Sequence, residues 1–133
     1  MRDQIERHNP PTVHPPVGDL YSHAVEIPPG ARLLFIAGQV GADQDGNTPE
    51  STEEQLDLAW GNIKKILDHA GFSMGDVIKV TCFLKGPEYA TAYAKSVTKH
   101  LGANKPAMTA PIVKQLWAAE WHFEIEAIAA KVV

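Results

Sequence analysis

A chain of 133 residues, 44% of them apolar, suffices for one domain with an ordinary core. Its net charge of -4, without any cluster of Lys or Arg, disfavours a nucleic-acid partner, and the lone Cys82 rules out an internal disulfide or a thiolate metal site and suits a reducing cytosol. No apolar run approaches the ~18 residues of a membrane span, and the mixed-charge start Met1-Arg2-Asp3-Gln4 lacks the apolar stretch of a signal peptide, so a soluble cytoplasmic protein is expected.

Residues 1–19 contain Pro10, Pro11, Pro15 and Pro16, which favour an irregular or extended arm, and residues 20–133 read as a single domain. Tyr21–Ile27 reads as a strand. Pro28-Pro29-Gly30 supplies a turn into a second strand, Arg32–Val40, and the pair is expected to form a hairpin. Leu33-Leu34-Phe35-Ile36-Ala37 is apolar at consecutive positions, so both faces of that strand are expected to be covered.

After a polar loop, Ser51 with Glu54 three residues on forms a capping box that opens a helix. Leu56, Ala59, Trp60, Ile63, Leu67 and Ala70 fall at spacings of three and four, one apolar stripe. Gly71 stands where a left-handed residue ends such a helix. Val77–Leu84 reads as a strand with Ile78, Val80, Cys82 and Leu84 on one face. A second helix is predicted over Pro87–Leu101, Pro87 in its first turn and Gly102 ending it. Thr109–Leu116 and Trp121–Val132 read as the last strands, Pro111 marking an edge or bulge in the former.

The order β-β-α-β-α-β-β predicts an α+β two-layer sandwich with both helices on one face of the sheet. The other face then needs cover. Association of identical copies is the economical solution, and a large buried ligand is the alternative.

One apparent motif is a decoy. Asp43 to Glu54 places oxygen-bearing residues at positions 1, 3, 5, 9 and 12 of a calcium loop, but its sixth position holds Thr48 where glycine is needed, and a strand precedes it. Asp45-Gly46-Asn47 reads instead as a turn, and no metal is expected.

Three segments together carry a family likeness: Leu34-Phe35-Ile36-Ala37-Gly38-Gln39, then Gly71 through Thr81 (Gly71-Phe72-Ser73-Met74-Gly75-Asp76 onward), then Glu124-Ile125-Glu126-Ala127-Ile128-Ala129. In order and spacing they resemble the Rid/YjgF family of reactive-intermediate (enamine/imine) deaminases, over about Tyr21 to Lys131. The resemblance implies a chorismate-mutase-like fold, a homotrimer and three clefts between neighbouring subunits. It implies that Glu124 positions the water that hydrolyses an imine, that Tyr21 lines the cleft, and that Gly38 lies beside the site. The family's substrate-gripping arginine, which follows a Pro-Ala pair, is here Met108, after Pro106-Ala107. A family asparagine on the second helix is matched by Tyr93, and a cysteine two residues past the arginine by Ala110.

A bidentate guanidinium–carboxylate contact is worth ~3–5 kcal/mol in a sheltered site, whereas a thioether donates nothing. Its loss costs roughly two to three powers of ten in affinity or rate. Lys105 or Arg32 of a neighbouring subunit is the candidate replacement cation.

Each candidate has a plainer alternative. Glu124 is either the water-positioning carboxylate or half of a surface ion pair. Tyr21 binds ligand or is an ordinary strand aromatic, and His23 is read as a satisfied structural histidine. Met108 lines an apolar cleft or fills a gap in the core. Trp117, with Trp121 and His122, forms a ligand wall or anchors an interface. The expected function is a cofactor-free homotrimer binding a small carbonyl, imine or enamine metabolite, with Glu124 orienting water. The alternatives are a non-catalytic metabolite- or partner-binding trimer and, more weakly, an endoribonuclease.

Overall fold

The computed structural model describes residues 4–133, so residues 1–3 of the expected arm lie outside the described residues. The arm contributes a short strand, β1 (Glu6–His8), which pairs antiparallel with β2 (Ala24–Glu26) in a two-stranded ribbon. The remaining elements follow the expected order: β3 (Arg32–Gln39), α1 (Thr52–Ala70), β4 (Val77–Leu84), α2 (Ala90–Leu101), β5 (Ala107–Thr109) and β6 (Phe123–Lys131). They build a four-stranded mixed sheet, β3-β6-β4-β5, in which only β4 and β5 run parallel. Both helices pack on one face. This is the expected α+β, chorismate-mutase-like two-layer sandwich.

Helix α1 starts and stops where its sequence says. Ser51 Oγ accepts from the Glu54 amide at 3.3 Å, and Gly71 closes the helix at φ 84°, a left-handed conformation that glycine adopts without a side-chain clash. That bond is the formed half of the capping box, and Ser51 Oγ also donates to Glu53 at 3.3 Å. The apolar stripe is buried as predicted, with Leu56, Ala59, Trp60, Ile63 and Leu67 almost wholly removed from solvent. Each large side chain among these contributes ~1.5–3 kcal/mol. Trp60 Nε1 donates to Ser96 Oγ at 3.0 Å, joining the two helices. A single 3-10 turn, Pro87–Tyr89, precedes α2.

Four sequence expectations need correction. The hairpin does not form: β2 pairs with β1, and β3 pairs with β6. Pro28 and Pro29 have no amide to give a ladder, and the turn they begin leads β3 away to the apolar strand β6 instead. Second, the strand expected over Tyr21–Ile27 is cut to Ala24–Glu26. As expected of two helices on one sheet face, the chain itself leaves the other face of β3 bare. Ile36 is buried, while Leu33 is 47% and Phe35 71% exposed on the face away from the helices. Third, Ile78 is not in line with Val80, Cys82 and Leu84. Two residues of β4 oppose one of β6 between the Val77–Ala129 and Lys79–Ile128 pairs, and this bulge hands the first core position to Val77. Fourth, the strand expected over Thr109–Leu116 is cut to Ala107–Thr109, followed by a lone bridge from Ile112 to Leu84. Pro111 cannot donate to a ladder, and the chain leaves the sheet there.

Candidate functional site

The site is built on β6. Its period-two alternation buries Phe123, Ile125, Ala127 and Ala129 under the helices, which sends Glu124, Glu126 and Ile128 to the opposite face. Glu124 stands opposite Phe83 of β4, and Glu126 opposite Thr81. On the other flank β3 carries a bulge: three steps from Ile36 to Gln39 are matched by two from Ala127 to Ile125. The bulge sets Gly38 against the carboxylate. A Cβ at that position would stand 2.7 Å from Cγ, Cδ and Oε1 of Glu124, so this Glu124 conformation requires glycine there.

Beside Glu124 opens a groove of about 570 Å³, walled by Phe83, Glu124 and Glu126 on the sheet and by Val113, Gln115, Leu116 and Trp117 on the loop between β5 and β6. Trp117 is 96% exposed, with nothing among the described residues to bury it. The loop is held from behind by Gln55, a wholly buried residue of α1. Its Nε2 donates to the carbonyls of Pro49 at 2.9 Å and Glu120 at 3.0 Å, and its Oε1 accepts from the His122 amide at 3.1 Å. Lys85 Nζ donates to the Ala119 carbonyl on the same loop.

His122 lies at the entry to β6 and stacks on Tyr89 with ring centroids 4.5 Å apart. Its Nδ1 is 2.8 Å from Thr52 Oγ1. Burial, then the nearby Lys85 ammonium, holds its imidazole below the ordinary value of 6.5, against a smaller opposing pull from Glu88.

Of the residues singled out from sequence, Glu124, Gly38 and Trp117 are brought together at this groove. Met108 pairs with Val80 on β5 and packs against the helix-side core. Tyr93 is also core, its hydroxyl buried without a protein partner among the described residues. Burial, then the neighbouring Cys82, raises its phenol well above the usual range. Tyr21 accepts a hydrogen bond from the Val17 amide at 3.3 Å and meets His23 edge-on, and His23 Nε2 donates to the His14 carbonyl. The bridge from Ser22 to Ala107 sets this segment beyond β5. Three strand spacings across and four residues along separate it from Glu124 by roughly 20 Å. One chain therefore does not join Tyr21 to Glu124.

The missed residues are Gln55, Phe83, Gln115 and Glu126. Gln55 had a readable signal, because a polar side chain next to the apolar stripe of α1 has to find partners when buried. The loop residues had none, since their placement depends on Gln55 and Lys85 contacts distant in sequence.

The calcium decoy resolves as the expected turn: Asp43 Oδ1 accepts from the amides of Asp45 and Asn47 at 2.9 Å each. Among the described residues, one group of three side chains has metal-ligand spacing, Glu6, His8 and Glu26 on the β1–β2 ribbon. There His8 Nε2 is already 2.8 Å from Glu26 Oε1. No described helix is long and apolar enough to cross a membrane.

Comparison with known proteins matches residues 12–131 to the family model described as Endoribonuclease L-PSP. A RutC family protein of Pyrococcus horikoshii is 36% identical over 137 residues, covering 98% of this chain and 99% of that one. The 2-iminobutanoate/2-iminopropanoate deaminase of Escherichia coli K12 is 31% identical over 104 residues, 74% of this chain and 80% of the relative. Among solved structures, the Rid family protein YyfB from Yersinia pestis superposes with a TM-score of 0.85 at 30% identity, covering 95% of this chain and 98% of that one. The fold, the order of matched segments and these likenesses agree: the chain belongs to the Rid/YjgF family, the group described by the endoribonuclease L-PSP model.

Proposed function

We propose that this protein is a cytoplasmic homotrimer that binds a small carbonyl, imine or enamine metabolite in clefts between subunits and hydrolyses the imine to a carbonyl product and ammonia. The observation that carries the reading is Glu124, half-buried on the open face of β6, with a glycine cut to fit it and a groove alongside. In the reaction Glu124 accepts a proton from water as the oxygen adds to the C=N carbon. That proton passes to nitrogen, and the C–N bond breaks as the hydroxyl proton follows it, leaving the carbonyl and ammonia. Water and a carboxylate suffice, so no cofactor or metal is invoked.

Assembly is supported by Leu33 and Phe35, exposed on the sheet face that the helices leave bare, and by the distance between Tyr21 and Glu124, which only a second copy can span. The cytoplasmic placement is supported by the single cysteine, a buried free thiol. The deaminase relatives support the chemistry. Imines generated freshly in solution should release ammonia faster with the protein than with Glu124→Gln, by roughly 10²–10⁴-fold if the carboxylate carries proton transfer. Equal rates for the two proteins, no faster than buffer, would remove the hydrolytic role.

A non-catalytic trimer is the second reading, favoured by Met108, which offers no charge where the family's arginine grips substrate and which packs into the core. The same measurement separates the two. Cleavage of RNA has less to support it, because two carboxylates and no basic side chain wall the groove, and phosphates would be repelled.

A further inference from the structure

The charge of the groove bears on its substrate. Its seven wall residues include two carboxylates, Glu124 and Glu126, and no Lys, Arg or His. Both project from the same face of β6, about 7 Å apart along the strand. Four basic side chains elsewhere on this sheet and its margins are engaged, and Lys114, exposed on the loop between Val113 and Gln115, is not among the groove's walls. Lys79 Nζ donates to Thr109 Oγ1 at 3.2 Å, Lys85 to the Ala119 carbonyl, and Lys131 to the Gly71 carbonyl at 3.0 Å. Arg32 sits over the Phe72 ring at 4.9 Å and reaches the Ala70 carbonyl. The uncharged walls offer two aromatic rings, Phe83 and the 96% exposed Trp117.

We propose, building on the hydrolytic reading above, that this groove selects a cationic imine without a carboxylate: the protonated imine of a primary amine with an aromatic or apolar substituent. A 2-imino acid would bring its own anion between two like charges, with no cation among the wall residues of this chain to receive it. A protonated imine gains from the same arrangement. Glu126 supplies the counter-charge and Trp117 an aromatic face for the cation, leaving Glu124 free to orient water. Protonation also makes the carbon more electrophilic. The balance is R–CH=NH2+ plus water giving R–CHO plus NH4+. Water's oxygen bonds to carbon, its first proton travels through Glu124 to nitrogen, its second follows as the C–N bond breaks, and no oxidant is consumed. The reaction that supplies this substrate is the two-electron dehydrogenation of a primary amine at the carbon bearing nitrogen.

The test has a binding arm and a turnover arm. In the first, benzamidinium and benzoate are titrated into the full-length protein, its Glu126→Gln variant and its Trp117→Ala variant, followed by calorimetry. Benzamidinium should bind at least tenfold tighter than benzoate, and either substitution should weaken it about three- to tenfold. Benzoate binding as tightly, absence of benzamidinium binding at millimolar concentration, or affinity unmoved by both substitutions would overturn the proposal. In the second arm, benzylamine with a flavin amine oxidase and alanine with a flavin amino-acid oxidase generate the two imine classes in the presence of the protein. Faster turnover of the benzylamine-derived imine supports the proposal. Preference for the alanine-derived imine overturns it while leaving the hydrolytic reading in place. If neither is accelerated, hydrolysis falls, and the selective, Glu126-dependent binding of benzamidinium still decides the question of charge.

Discussion

At the scale of single residues, the two most informative positions are ones where something is missing. Gly38 lacks the Cβ that would strike Glu124 at 2.7 Å. Gly38→Ala should therefore move the carboxylate rather than the backbone, because the atoms in the way belong to a flexible side chain. The expected result is a ten- to hundredfold loss of imine hydrolysis, of the order seen for ~1 Å misplacements, with chemical stability changed by less than ~1 kcal/mol. Tyr93 lacks a partner for its buried hydroxyl among the described residues. Tyr93→Phe should raise stability by about 1 kcal/mol in a urea titration, since an unmade buried hydrogen bond is removed with little change in shape. Glu124 was singled out through the family likeness, and strand alternation explains why it leaves the helix-side core. Met108 and Tyr93 were matched only by alignment, and the side of the sheet they face depends on register with Val80 and on the packing of α2, neither of which composition encodes.

At the scale of elements, α1 was readable from end to end because its signals are local. The Ser51 cap, the three-four stripe and Gly71 each act within a few residues. Ser51→Ala should cost about 1 kcal/mol, measured as a lowered denaturation midpoint. The strands were less legible. A bulge at Ile78 shifts the alternation, and β5 stops where Pro111 removes a donor, so a period-two pattern drawn over the whole segment misassigns faces. The entry to β6 carries a pH signature. With the His122 imidazole held below 6.5 in the folded protein, the unfolded chain takes up the proton first as pH falls. Its contribution to stability is thus present above that value and lost as pH drops through the folded one. Between about pH 7.5 and pH 5.5 the fall in melting temperature should be larger for the native protein than for His122→Gln.

At the scale of the molecule, the sheet has one dressed face and one bare one. Phe35, 71% exposed, is paired with Ile128 on that bare face, next to Leu33. Phe35→Glu should convert the proposed assembly to monomers in sedimentation experiments while leaving the helical signal intact, because the helix-side core does not include it. A monomeric native protein at micromolar concentration would contradict the proposed assembly. The sequence carried the need for cover in its unbroken apolar run from Leu33 to Ala37, which one chain leaves bare on the face away from the helices. It could not carry the geometry of an assembly, and within a single chain Tyr21 and Glu124 sit roughly 20 Å apart.

The lone thiol has a practical corollary. Cys82 lies on the central strand β4, wholly shielded and with its ionisation strongly suppressed by burial, so it is inert while the fold is closed. Its labelling by a disulfide reagent would then clock how often the sheet opens, an in-built stopwatch that needs no engineered probe.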